Sequence, residues 1–285
     1  MRWEQERRSD NIEDRRGMRV SRKGLLGGGI GTIVLTLVAM YFGVDPSVVL
    51  NQAGNMTPTQ EEQQQTTFSP EEEHLKDFMS AVLANTEDVW GAMFKASGQT
   101  YQQPKLVLFS GAVQSACGFA EAAMGPFYCP GDHKLYLDMS FFNELAQRHG
   151  APGDFAQAYV VAHEVGHHVQ TLLGVSEQVN AARQRTDEAG GNALQVRMEL
   201  QADCFAGVWA NHANRTRQIL EPGDTEEALA AAAGVGDDRL QKQARGYVVP
   251  ESFTHGSSEQ RMRWFSRGMQ SGDPGQCDTF ETTKL

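Results

Sequence analysis

The 285-residue chain predicts an α+β fold, and three observations carry that reading. Apolar residues recur at helical spacing over 75–94, strand-like runs follow at 105–109 and 134–138, and helical patterns return from 154 onward. Elements grouped as helix, sheet and then helices, with no regular strand–helix alternation, belong to the α+β class. The sheet is expected to be small and mostly antiparallel. A hydrophobic content of 40% is ordinary for a chain that builds a core.

Taken in order, residues 1–24 read as a basic tail: positions 1–23 carry eight Lys/Arg against five acidic residues. Residues 25–44 form a twenty-residue stretch without a charge, long enough as a helix to cross a hydrocarbon core of roughly 30 Å. Arg15, Arg16, Arg19, Arg22 and Lys23 flank it on one side, which predicts a single-pass span of the bacterial inner membrane, N-terminus cytoplasmic and the remainder periplasmic. Residues 45–68, rich in Gln, Thr and Asn, read as a flexible polar linker, and 69–285 as the folded domain. Beyond residue 23 the chain holds 17 basic and 31 acidic side chains, which excludes a polyanion such as nucleic acid as partner.

Ser69-Pro70-Glu71-Glu72 predicts a capped helix start, and Gly98 a stop. Phe127-Tyr128-Cys129 leading into Pro130-Gly131-Asp132 predicts a hairpin into the 134–138 strand. A helix is expected from Asp154 to about Gly174, another from about Asn192, and shorter ones near 224–233 and 257–270. Four cysteines lie beyond the apolar stretch, none in a C-x-x-C pair, which argues against a sulfur-ligated metal. In an oxidising compartment an even number predicts two disulfides. Three pairings are possible; Cys117–Cys129, closing a short loop, and Cys204–Cys277, tying the C-terminal tail to a helix, are favoured.

The chemistry concentrates in His163-Glu164-Val165-Gly166-His167. Four helical residues advance about 400°, so the two imidazoles lie one turn apart on one face and can share an ion. Glu164 stands at the flank of that face, where a carboxylate can take a proton from water at the metal. His168, five positions from His163, points elsewhere and is not counted. Downstream, Glu199 and Asp203 are again four apart. Glu199 supplies the third ligand that a catalytic zinc requires, and Asp203 can accept the second ring N–H of a ligand histidine. Two imidazoles and one carboxylate favour a single zinc ion over harder metals.

HEVGH followed by ELQAD resembles the gluzincin pattern, and more generally the membrane-associated Ste24/HtpX-type peptidases. That likeness implies roles for His255, as stabiliser of the oxyanion, and for Arg261, in holding the site. Here Gly256 stands where those enzymes have proline. The whole chain is similar to the neutral zinc metallopeptidases of bacterial envelopes, the YpfJ-type family. The stretches that carry this are MRWEQERRSDNIEDRRG, TYQQPKLVLF, GPFYCP, AHEVGHHVQ, RMELQADCFAGVW and SGDPGQC. The resemblance implies a zincin-like metalloprotease domain, with the segment 117–123 as the edge strand of a peptide cleft. The expected function is hydrolysis of peptide bonds in envelope or membrane-proximal proteins. The competing expectations are a non-catalytic envelope protein whose zinc is closed by His255, and a zinc amidase acting on cell-wall peptides.

Overall fold

Helix α1 (Pro70–Ala96) starts where its capping chemistry places it: the Glu72 N–H donates to Ser69 Oγ at 3.2 Å, and the Ser69 N–H to the Glu72 carboxylate at 2.7 Å. Its buried stripe includes Met79, Val82, Leu83 and Trp90. The computed structural model describes residues 1–18 and 67–285. The expected span at 25–44 and linker residues up to 66 lie outside the described residues. Among those described, no helix is long and apolar enough to cross a membrane.

The strands are β1 (Ile12–Asp14), β2 (Lys105–Phe109), β3 (Ala112–Ser115), β4 (Gly118–Glu121), β5 (Phe127–Cys129) and β6 (Lys134–Asp138). A four-stranded sheet runs β1-β2-β6-β5, and β3–β4 form a separate antiparallel hairpin. Within the larger sheet β1–β2 and β2–β6 are parallel and only β5–β6 is antiparallel. The expectation of a mostly antiparallel sheet is therefore corrected. The reason is connectivity: the β3–β4 hairpin and β5 intervene between β2 and β6, so the chain returns beside β2 in the same direction. The Pro130–Asp132 turn does join an antiparallel pair, with Tyr128 opposite Leu135.

Residues 1–16 are not a separate tail. Met1–Arg16 and Ser69–Leu285 form one compact unit. Trp3 is buried against Phe78, and Glu87 of α1 accepts from Ser9 Oγ at 2.6 Å and Asn11 Nδ2 at 2.7 Å while pairing with Arg7. The Arg16 guanidinium bonds Asp14 and Glu73, so the chain leaves this unit close to where it re-enters. β1 lies in register with β2, so residues 1–16 belong to the same folded unit as 69–285.

The later helices are α2 (Phe141–Gln147), α3 (Asp154–Leu172), α4 (Val175–Arg183), α5 (Glu188–Arg217), α6 (Asp224–Gly234), α7 (Asp237–Arg245) and α8 (Ser258–Ser271). α3 takes Gly153 as its cap, with Asp154 inside the first turn and the Phe155 N–H donating to Glu227 at 3.0 Å. α5 starts earlier than expected because Asp187, accepting from the Gly190 N–H at 2.8 Å, caps it. Glycine decides how closely these helices meet. A Cβ on Gly166 would lie 2.9 Å from the Ala202 carbonyl oxygen, and one on Gly268 would collide with the Cys204 carbonyl. α3 and α8 therefore touch α5 almost backbone to backbone. Both favoured disulfides, Cys117–Cys129 and Cys204–Cys277, are present.

Candidate metal centre

α3 and α5 bring together the residues singled out by their four-residue spacings. The close approach at Gly166 lies inside the H-E-x-x-H turn and sets Glu199 against the two imidazoles. One oxygen of Glu199 is 3.2 Å from His163 Nε2 and 3.4 Å from His167 Nε2. All three candidate ligand atoms lie within 4.8 Å of one another. Ligands about 2.0–2.1 Å from a tetrahedral zinc stand about 3.3–3.4 Å apart. The two edges that meet at Glu199 therefore match that ion. His163 and Glu199 are buried, and Glu164, 9% exposed, lines the same cleft.

Each histidine is oriented through its Nδ1. His163 Nδ1 is 2.8 Å from Asp203 Oδ1, as the spacing of Glu199 and Asp203 implied. His167 Nδ1 is 2.9 Å from Gln170 Oε1. Arg261 is buried and clamps Asp203 with two bonds, Nε to Oδ2 at 2.8 Å and Nη2 to Oδ1 at 2.9 Å. Tyr159 adds a third donor to Asp203 at 2.5 Å. Burial opposes ionisation of Asp203, but Arg261 and His163 outweigh it and hold the carboxyl down at about 2. Burial likewise works against a proton on His163, yet Asp203 and Glu199 raise its pKa to about 9. The carboxylates thus favour a cation at the Nε2 face, whether proton or metal.

His255 reaches the cleft from the loop before α8 and is half exposed on its side chain. Asp237, the first residue of α7, builds that loop. One of its oxygens accepts the backbone N–H groups of Thr254, His255 and Gly256 at 2.7, 2.6 and 3.1 Å. Its other oxygen is 3.3 Å from His255 Nδ1. The departure at Gly256 now has a reason: its φ is +91°, which proline cannot adopt, and proline would lack the N–H that Asp237 accepts. His168 is buried away from the metal face, with Nε2 2.6 Å from the Gln102 carbonyl and Nδ1 3.1 Å from the Tyr128 hydroxyl.

The cleft, about 600 Å³, has Met124, Phe127, Phe141 and Val160 among the apolar residues of its lining. The segment 117–123, expected as an edge strand, divides into β4, paired with β3, and a 3-10 turn at Ala122–Met124. Ala122 to Pro126 line the cleft. Tyr159, Gln170 and Asp237 had no separate signal in the sequence. Tyr159 sits in an apolar run, and the other two act on partners fixed only by tertiary structure.

Helices that present an H-E-x-x-H pair and a carboxylate around one point place the chain among the H-E-x-x-H metalloproteins. It belongs to the family described as "Putative neutral zinc metallopeptidase", whose model matches residues 1–280. Escherichia coli K12 "Uncharacterized protein YpfJ" is 51% identical over 290 residues, 98% of this chain and 99% of that protein. Mycobacterium tuberculosis H37Rv "Uncharacterized protein Rv2575" is 43% identical over 262 residues, 87% of this chain and 86% of that protein. No solved structure matches the chain significantly.

Proposed function

We propose that the chain is a zinc-dependent endopeptidase that holds one ion through His163, His167 and Glu199. The observation that carries this reading is the Glu199 oxygen standing 3.2 and 3.4 Å from the two Nε2 atoms, the edge lengths of a zinc tetrahedron. Zinc bound there supplies Lewis acidity. Glu164 takes the proton of the attacking water and passes it to the leaving amine. His255 donates toward the carbonyl oxygen as negative charge develops on it. Arg261 acts at one remove, holding Asp203 ionised and turned toward His163.

The donor set supports the catalytic reading over a closed structural site. Among the described residues the converging group consists of His163, His167 and Glu199, and His255 is not part of it. The cleft suits a polypeptide substrate, with the apolar side chains of its lining, Met124, Phe127, Phe141 and Val160 among them, receiving a side chain. Two disulfides fit an oxidising compartment, so the folded unit, residues 1–16 included, is assigned to the bacterial envelope, facing its proteins.

The test uses the purified full-length chain. Wild type is expected to carry about one zinc per chain, and Glu164→Gln to keep the metal while losing at least about 10²-fold in hydrolysis of unfolded protein. Activity that survives this substitution overturns the mechanism. Hydrolysis of muropeptides in place of unfolded protein assigns the same centre to a cell-wall amidase.

A further inference from the structure

The structure assigns a role to two buried glutamines outside the ligand set: Gln170 and Gln201 form a directional relay that fixes the His167 tautomer and ends on the disulfide-tethered C-terminal segment. The inference rests on His167 being a zinc ligand.

The direction of the relay follows from its ends. A backbone carbonyl can only accept. Gln201 Nε2 donates to the Cys277 carbonyl at 3.1 Å, which leaves Gln201 Oε1 facing Gln170. Gln170 Nε2 then donates both to that oxygen at 3.0 Å and to the Met198 carbonyl at 2.8 Å. This turns Gln170 Oε1 toward His167 Nδ1 at 2.9 Å, where it too can only accept. The hydrogen therefore sits on Nδ1, and Nε2 is the nitrogen that presents its lone pair to a metal. Reversing either amide sets oxygen against oxygen at a carbonyl. Gln170 is wholly buried and Gln201 8% exposed, so water does not readily substitute.

The far end is anchored covalently. Cys277 is fully buried and bonded to Cys204 of α5, one residue beyond Asp203. One disulfide thus holds the carbonyl on which the relay terminates. His163 is set by a carboxylate, His167 by neutral amides whose polarity is dictated by two backbone carbonyls, Met198 on α5 and Cys277 on the C-terminal tail.

The test is zinc affinity of the full-length chain, read by competition with a chromogenic chelator, together with the melting temperature of each protein after chelation. Gln170→Met is expected to weaken zinc binding about 10- to 100-fold, the range for loss of a partner behind a ligand histidine. Gln201→Met is expected to weaken it about threefold to tenfold. The double variant is expected to match Gln170→Met, because both act through one atom of His167. After chelation, melting temperatures should fall far less than affinity does, a split that simple loosening of the core does not give. Singles that keep affinity within twofold of wild type, or effects that multiply in the double variant, overturn the relay. If Gln170→Met does not fold, Gln201→Met and the joint Cys204→Ser, Cys277→Ser variant decide, the latter expected to weaken binding by at least threefold. Failure of wild type to bind zinc, or of His167→Ala to lose it, refutes the metal centre itself, a result distinct from failure of the relay.

Discussion

The α3–α5 pair and the N-terminal sixteen residues differ in where their order comes from. In the helix pair, spacing along the chain already fixes which side chains share a face: His163 with His167, Glu199 with Asp203. In residues 1–16 nothing local does so. β1 has three residues and pairs with β2, and the segment's other partners are the α1 side chains of Glu73 for Arg16, Lys76 for Asp14 and Glu87 for Ser9, more than fifty positions away. Charge composition alone marked this segment as a tail. A polar, charge-rich sequence, with Arg and carboxylates in equal number over residues 1–16, is equally what a peripheral strand needs when the surface that receives it carries partners of both signs.

The strongest way to break that contrast is to delete residues 2–16. The deletion strips Arg7, Ser9 and Asn11 from Glu87, whose side chain is 1% exposed. It also takes Trp3 from Phe78 and β1 from the edge of β2, and burial of one large apolar side chain alone is worth about 1.5–3 kcal/mol, a large part of a typical domain's stability. We expect a protein that no longer unfolds cooperatively in a urea titration. If the deleted chain keeps its midpoint, the segment is a tail after all.

Second in size is an acid effect from His168, which belongs to the metal helix by sequence but to the sheet by contact. Burial drives its pKa down to about 4, while in the unfolded chain it lies near 6.5. The sign follows: the folded state keeps this ring neutral, so its stabilising contribution is complete above pH 6.5 and falls as pH drops toward 4. The difference amounts to about 3 kcal/mol by pH 4. His168→Phe is expected to flatten the dependence of the urea midpoint on pH between 7 and 4 by that amount. An unchanged slope shows that the ring charges freely in place.

These two cases define what was legible. Glu164, Glu199 and Asp203 could be named because i, i+1 and i, i+4 relations on a helix are geometric facts. His255 and Arg261 were nameable only through resemblance, since a loop residue and a buried arginine carry no periodic signal. Asp237 and Gln170 were out of reach: each sits at an unremarkable position and gains its role from one contact across the fold. The short helices α2, α4 and α7, seven to nine residues each, span too few turns for a stripe to stand out. The parallel sheet was hidden because pairing direction depends on the path between strands, which strand composition does not record.

Gly166 tests the helix side of the comparison. A methyl group there must push α3 from α5 by a few tenths of an ångström, against the Ala202 backbone. Alanine also raises intrinsic helix stability by up to about 1 kcal/mol, offsetting part of the strain. Gly166→Ala should therefore lower the melting temperature after chelation by about 2–4 °C and weaken zinc binding about tenfold. Equal zinc affinity means that Glu199 reaches the imidazoles without this contact.

The smallest expected effect belongs to Asp237→Asn, and it separates charge from position. Asparagine keeps a side-chain oxygen for the N–H groups of Thr254, His255 and Gly256, so the loop should stay in place. What changes is the Asp237 atom facing His255 Nδ1, which the Thr254 hydroxyl, able to donate or accept, also approaches at 3.0 Å. With the carboxylate there, Nδ1 carries its hydrogen toward Asp237, and neutral His255 presents only a lone pair from Nε2. Donation toward a developing oxyanion then requires the imidazolium, which the hydrogen bond to Asp237 favours by raising the His255 pKa. With an amide N–H in that place, Nδ1 becomes an acceptor and Nε2 a neutral donor. A neutral hydrogen bond is weaker than a charged one by about 1 kcal/mol, so kcat should fall roughly fivefold at pH 7 with KM little changed. The alkaline fall in kcat, where wild type loses the imidazolium, should flatten in the variant. A parallel drop at every pH instead means that Asp237 serves only to hold the loop.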